Sequence, residues 1–231
     1  MAALGTLGAI AAQLIPHRWP VGAVRLIRVG LAWPLIALGV ALLIEANLGV
    51  APFDVLNTGV AETLDAPFSI VYPCVALIFF SIGALLGGKI GWASVLGTLV
   101  IGPLIGLFTD LTPEPDRIVV RAAMVVVATL VLATAICLVI TAELGAGPSE
   151  VLMLGLVNHN MALVYARWIS DGVPLVVGAS LGGAVGVGTV LFALALAPLI
   201  KYGLTVLHYE PPHQRTKIGA HGPSDIGTIV R

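Results

Sequence analysis

The sequence predicts an all-α, polytopic membrane helix bundle built as two tandem repeats, each of three crossings plus one short extra helix. Of its 231 residues, 58% are hydrophobic and only 10% charged, against roughly 25% charged in an average soluble domain. The charges cluster, as in Asp110, Glu114, Asp116, Arg117 and Arg121, and leave apolar intervals that match the ~20 helical residues needed to cross a ~30 Å hydrocarbon layer. Two strings also recur in the same order 95 or 96 residues further along the chain. These features exclude a nucleic-acid binder, a secreted disulfide scaffold and an ordinary cytosolic enzyme. They imply the lipid bilayer as partner and no cofactor, metal or catalytic residue.

Residues 1–24 form an N-terminal lead-in. The first fifteen are apolar but lack the basic start of a signal peptide, and they run into the breaker Pro16-His17-Arg18-Trp19-Pro20. The first repeat, residues 25–113, holds crossings at Val29–Ala46, Phe68–Leu86 and Trp92–Phe108. The second, residues 114–207, holds crossings at Val119–Ala142, Leu163–Leu181 and Val187–Leu207. Residues 208–231 are polar and rich in Pro and Gly without periodicity, which predicts a disordered tail with solvated histidines.

Lys and Arg set the expected orientation. With the N-terminus inside, Arg18, Arg25, Arg28, Lys89, Lys201, Arg215, Lys217 and Arg231 fall on the cytoplasmic side, and Arg117 and Arg121 fall outside. By the positive-inside rule both termini are cytoplasmic. Cys74 and Cys137 lie within apolar runs and read as small core hydrophobes.

The repeat is the strongest organisational signal. Asn47-Leu48-Gly49-Val50-Ala51-Pro52-Phe53-Asp54 returns as Glu143-Leu144-Gly145-Ala146-Gly147-Pro148-Ser149-Glu150, and Gly87 to Ile105 returns as Gly182 to Ile200, with Pro103 matched by Pro198. Three crossings per unit would place the two copies upside down relative to each other, as in many secondary transporters. That inversion requires Pro52–Leu64 not to cross. At 13 residues it is about 20 Å of helix, too short to span. Phe53, Leu56, Val60 and Leu64 form one stripe and Asp54, Thr58 and Glu62 another. The helix is therefore amphipathic, with Pro and an acid at its start. Its two copies are either interfacial helices or re-entrant half-helices meeting a central cavity. Asp54 and Glu150 would offset the anion-attracting helix starts, which favours a cation, proton or neutral solute.

Arg167 and Asp171 break the fifth crossing one turn apart, so they can pair, and ionisable residues at membrane depth are functional candidates. The alternative is an Arg that snorkels and neutralises its neighbour. Gly178-Ala179-Ser180-Leu181-Gly182 fits a nucleophile pattern by composition, but the strand-turn-helix context is missing and Ser180 and His208 fall at opposite ends. Gly182 to Gly188 lacks the Lys and hydroxyl residue of a phosphate loop and reads as a tight turn. Pro103 and Pro198 should bend matched helices.

The strings LGVAPFDVL and LGAGPSEVLMLGL, with the end GVGTVLFALALAPLI, resemble the YczE/YyaS/YitT family of bacterial integral membrane proteins, nearest its YczE branch. The likeness covers Arg25 to Leu204. Members often carry Asp where this chain has Asn47 and Arg-Asp where it has Ser149-Glu150, and they show an Arg followed by an acid in the fifth crossing, like Arg167 and Asp171. The resemblance implies a multi-pass protein of the bacterial cytoplasmic membrane, without implying an activity. Taken together, the expectation is a small secondary transporter or permease of an unidentified small solute or ion, with a homo-oligomer as a further candidate assembly. The candidate residues are Arg167, Asp171, Asp54, Glu150, Asn47 and Glu143, on a frame set by Gly49, Pro52, Gly145, Pro148, Pro103 and Pro198. The alternative is a non-transporting accessory or regulatory membrane protein.

Overall fold

A computed structural model describes residues 21–208. These form eight helices: α1 (Val21–Ala46), α2 (Pro52–Leu64), α3 (Phe68–Leu85), α4 (Trp92–Leu111), α5 (Ile118–Ala142), α6 (Pro148–Asn158), α7 (Leu163–Ser180) and α8 (Val187–Val206). The expected lead-in up to residue 20 and the tail from Tyr209 lie outside the described residues. Helices α1, α3, α4, α5 and α8 are each long and apolar enough to cross a membrane. The expected fifth crossing, α7, reaches 18 residues, but Arg167 and Asp171 keep it below the hydropathy of the other five. The protein is a multi-pass helical membrane protein.

Helix α1 begins at Val21, eight residues before the expected start at Val29. The hydrocarbon limit does not end a helix when its basic residues find partners. Arg25 Nη2 lies 3.1 Å from Glu143 Oε2, and Arg28 Nη1 donates to the carbonyl of Thr141 at 3.1 Å. At the other end of the same helix pair, Asn47 Nδ2 donates to Glu114 Oε1 at 3.2 Å. The start of α1 thus meets the end of α5 and vice versa, so the two helices run antiparallel. They form the most extensive contact in the bundle. Small residues let them approach closely: Ala32, Ala37 and Ala41 of α1 and Ala128 and Ala135 of α5 are fully buried.

The short helices are gripped by the opposite half of the chain. Helix α2 packs on α7, and α6 packs on α3. A Cβ added at Gly59 would strike the Gly178 carbonyl and Leu181; one at Gly155 would strike the Gly83 carbonyl and Leu86. Likewise Gly183 abuts Val55, and Gly88 abuts Val151. Each contact becomes its partner when 95 or 96 is added to or subtracted from its residue numbers. At Gly49 the backbone conformation itself favours glycine, with φ +106° and the Gly186 backbone against it. The GASLG stretch is part of this grip, because its Gly178 and Leu181 meet α2.

Two sequence expectations about faces need correction. Cys137 is buried, its Sγ 3.6 Å from the Ile200 carbonyl, but Cys74 is exposed on α3. An apolar run in a membrane helix does not distinguish a side facing protein from one facing lipid, so burial could not be read from hydropathy. In α2 the expected polar stripe does not face water at its start: Asp54 is 5% exposed, whereas Leu64 of the apolar stripe is 67% exposed. Pro103 and Pro198 each occupy the twelfth position of a continuous helix, α4 and α8.

Valine at Gly83 should destabilise the bundle by about 1–3 kcal/mol through backbone overpacking. Alanine at Gly172, where nothing lies within 4 Å, should be neutral or mildly stabilising. Unfolding midpoints in detergent check both, and a Gly83→Val midpoint equal to wild type would refute the close approach.

Candidate functional site

Helix α6 starts at Pro148, whose absent N–H costs nothing at a first helical position, and Glu150 lies in its first turn at the positive helix end. Helix α7 buries Ala166, Ser170 and Pro174 along one stripe, with Gly178 in line against α2. Arg167 and Asp171, one turn apart, sit at the rim of that stripe. Arg167 Nε lies 2.6 Å from Asp171 Oδ2, and its Nη1 lies 3.4 Å from Glu150 Oε1. One guanidinium therefore bridges two acids on different helices, giving a triad of net charge −1.

The three side chains are 41%, 29% and 38% exposed for Arg167, Asp171 and Glu150. Arg167 offsets the mutual repulsion of the acids, and a planar fork can face both at once in a way an ammonium cannot. The arrangement has two stable uses: holding α6 to α7, or exchanging partners when a proton or cation arrives at one carboxylate.

The first half builds the same corner from different chemistry. Counting back along the repeat, Asp54 stands for Glu150, Tyr72 for Arg167 and Ala76 for Asp171. Asp54 is buried and accepts a hydrogen bond from Asn57 Nδ2 at 3.2 Å. Among the described residues no cation pairs with it. Asn57 Oδ1 is itself buried without a hydrogen-bond partner. Tyr72 lies within electrostatic range of both Asp54 and Glu150. Phe53 meets Tyr72 edge-on at 6.0 Å and also packs on the cluster that holds Val151 of α6. The starts of the two short helices therefore converge near the middle of the bundle.

Of the six candidates, the structure brings Glu150, Arg167 and Asp171 into one cluster, with Asp54 within electrostatic range of the same Tyr72 as Glu150. It places Asn47 and Glu143 elsewhere, at the C-terminal caps of α1 and α5. Both adopt left-handed backbone, φ 49° and 55°, and they sit at opposite ends of the antiparallel pair. Gly49, Pro52, Gly145 and Pro148 shape the turns into the short helices. Tyr72 and Asn57 were not singled out by sequence. The signal for Tyr72 was available, because the repeat aligns it with Arg167.

A family model matches residues 23–204. The chain belongs to DUF6198, a family of unknown function. An uncharacterised protein of Haemophilus influenzae is 26% identical over 184 residues, covering 78% of this chain and 83% of that one. The uncharacterised membrane protein YczE of Bacillus subtilis is 24% identical over 200 residues, covering 82% of this chain and 91% of that one. The YczE-like resemblance read from the repeated strings holds. No solved structure matches this DUF6198 chain.

If Arg167 bridges both acids, a double-mutant cycle between Arg167→Gln and Glu150→Gln, read by detergent unfolding, should return a coupling of about 0.5–3 kcal/mol. Purely additive effects would show that Arg167 and Glu150 are neighbours without interaction.

Proposed function

We propose that this protein is a small secondary transporter or permease whose two halves are an inverted duplication. The observation that carries the proposal is the convergence, inside the bundle, of two short helix starts from opposite repeats beside a half-exposed Glu150–Arg167–Asp171 triad. The antiparallel pairing of α1 with α5 supports inversion, since equivalent helices of a parallel repeat would run the same way. Re-entrant placement of α2 and α6 is supported by their burial pattern. Asp54, Val55, Asn57 and Gly59, then Pro148, Ser149, Val151 and Gly155, are buried, while the helix ends at Leu64 and Asn158 are exposed. A headgroup-layer helix would instead bury one stripe along its full length.

In this reading the triad couples movement to a proton or cation. Neutralising either carboxylate releases one arm of Arg167 and changes the grip between α6 and α7. The balance of charge supports the expected bacterial cytoplasmic-membrane topology: Arg25, Arg28, Lys89, Arg167 and Lys201 outnumber Glu143, Glu150 and Asp171 towards one end, and Glu45, Asp65, Asp110, Glu114 and Asp116 outnumber Arg117 and Arg121 towards the other.

The test is solute-dependent proton flux in vesicles reconstituted with purified protein and challenged with a panel of small polar solutes. Wild type should move protons with at least one solute, and Asp171→Asn should abolish that movement while eluting as a folded protein in detergent. Unchanged flux in Asp171→Asn overturns the coupling role. No flux with any solute favours an accessory protein instead.

A further inference from the structure

Two cavities lie between the same three helices, α1, α3 and α4, at different depths. The deeper one, of about 70 Å³, is lined by Trp33, Tyr72, Ser94, Thr98, Ile101 and the α6 start at Pro148. The wider one, of about 350 Å³, is lined by Thr58, Phe68, Ser69, Gly106, Thr109 and Asp110. The order is consistent on every wall. On α1 the first reaches Ile36 and the second touches Ile44, about 12 Å further along at 1.5 Å per residue. On α4 the first ends at Ile101 and the second begins at Gly106. On α3, which runs the other way, Tyr72 lines the first and Phe68 and Ser69 the second. The first therefore lies towards the arginine-rich end and the second towards the acidic end.

What separates them is narrow and identifiable. Phe68 stacks on Tyr72 at 6.0 Å and 29°, and Val40 and Ile105, both buried, close the same level in one cluster with these rings. Both cavities are walled by hydroxyls as well as apolar groups. In the outer one the lining hydroxyl residues are Thr58, Ser69 and Thr109. At the matched positions of the second half the aromatic group is placed differently. Where Gly97 faces the Trp33 indole, the repeat places Phe192, 4% exposed, opposite Thr129. In the first half the aromatic ring at this level comes from α1, and at the matched level of the second half it comes from α8.

We infer that these cavities are the two halves of a single solute pathway along α1, α3 and α4, bounded at the arginine-rich end by α5 and the loop into α6, and closed in this conformation by the stacked rings of Phe68 and Tyr72. This rests on the transporter reading and deepens it. Its walls carry hydroxyls and, at the acidic mouth, Asp110, near Glu45 and Glu114. The solute class is therefore small and polar, neutral or cationic, with an anion disfavoured at the mouth. Glu150 lies two residues beyond Pro148 in the wall of the inner cavity, so the triad can respond to occupancy there.

Silver ion, a small thiol-reactive cation, tests this in the full-length protein with Cys74 and Cys137 replaced by Ser and Ala. Thr98→Cys and Ser69→Cys are exposed to silver from one face of oriented vesicles at a time, and protection is read as loss of later maleimide labelling after denaturation. Thr98→Cys should be protected only from the face of the arginine-rich end, and Ser69→Cys only from the opposite face. Adding Tyr72→Ala, or Phe68→Ala where the first variant does not fold, should let silver reach Thr98→Cys from both faces. Protection of both cysteines from the same face overturns the proposal, as does a folded gate variant with unchanged sidedness. The expected pattern without solute-driven flux would keep the pathway and remove the transporter reading, so the two failures are distinguishable.

Discussion

The fold depends on one constraint: α2 and α6, of 13 and 11 residues, are too short to cross, yet their starts are buried where no water can satisfy their backbone ends. The opposite half hydrogen-bonds to the loops that lead into them and to polar side chains they carry. Val50 N donates to the Ala184 carbonyl at 3.1 Å, Gly188 N donates to the Leu48 carbonyl at 2.7 Å, and Ala184 N donates to Thr58 Oγ1 at 3.0 Å. On the other side Ala146 N donates to Ser94 Oγ at 2.9 Å, and Asn158 Nδ2 donates to the Gly87 carbonyl at 2.6 Å. Neither half can bury its own short helix alone. The glycines that the two strings share are where the donated loops touch.

This exchange explains why the repeat is strict in some places and loose in others. Gly83, Gly88 and Gly91 match Gly178, Gly183 and Gly186 because each presses against backbone, where any side chain collides. Side chains between the contacts have diverged in compensating pairs. Arg25 with Glu143 becomes, in the other copy, Arg121 and Asn47 joined through Glu114, which lies 3.0 Å from Arg121 Nη2 and 3.2 Å from Asn47 Nδ2. The neutral Asn47 removes one acid from the corner, and Glu114, brought in from the preceding loop, restores it. Under the proposed duplication, Glu150, Arg167 and Asp171 of the second half correspond to Asp54, Tyr72 and Ala76 of the first, so the two copies differ in chemistry.

Helix positions were largely legible in the sequence, because apolar intervals and turn residues report where a chain enters and leaves a membrane. The 13-residue span Pro52–Leu64 was delimited by Pro on one side and Asp65 on the other, and Asp65 caps the helix in left-handed backbone. The Arg167–Asp171 pair was legible from its one-turn spacing. Its link to Glu150 was not, because a contact across 17 residues depends on how α6 folds back against α7. The faces of the helices were equally hidden: lipid and protein interior are both apolar, so Cys74 and Leu64 could not be assigned a side. The placement of Tyr72 and Phe68 between two cavities was not legible either, because it depends on how α1, α3 and α4 pack.

The central claim is that the two halves are inverted, with α2 and α6 entering from opposite membrane faces. Their exposed ends offer the most direct probe. A single cysteine at Leu64, ending α2, and another at His159, following α6, should react with a membrane-impermeant maleimide in intact cells and in inverted vesicles respectively, each silent in the other preparation. Labelling of both positions from the same face would contradict the inverted architecture and the account built on it.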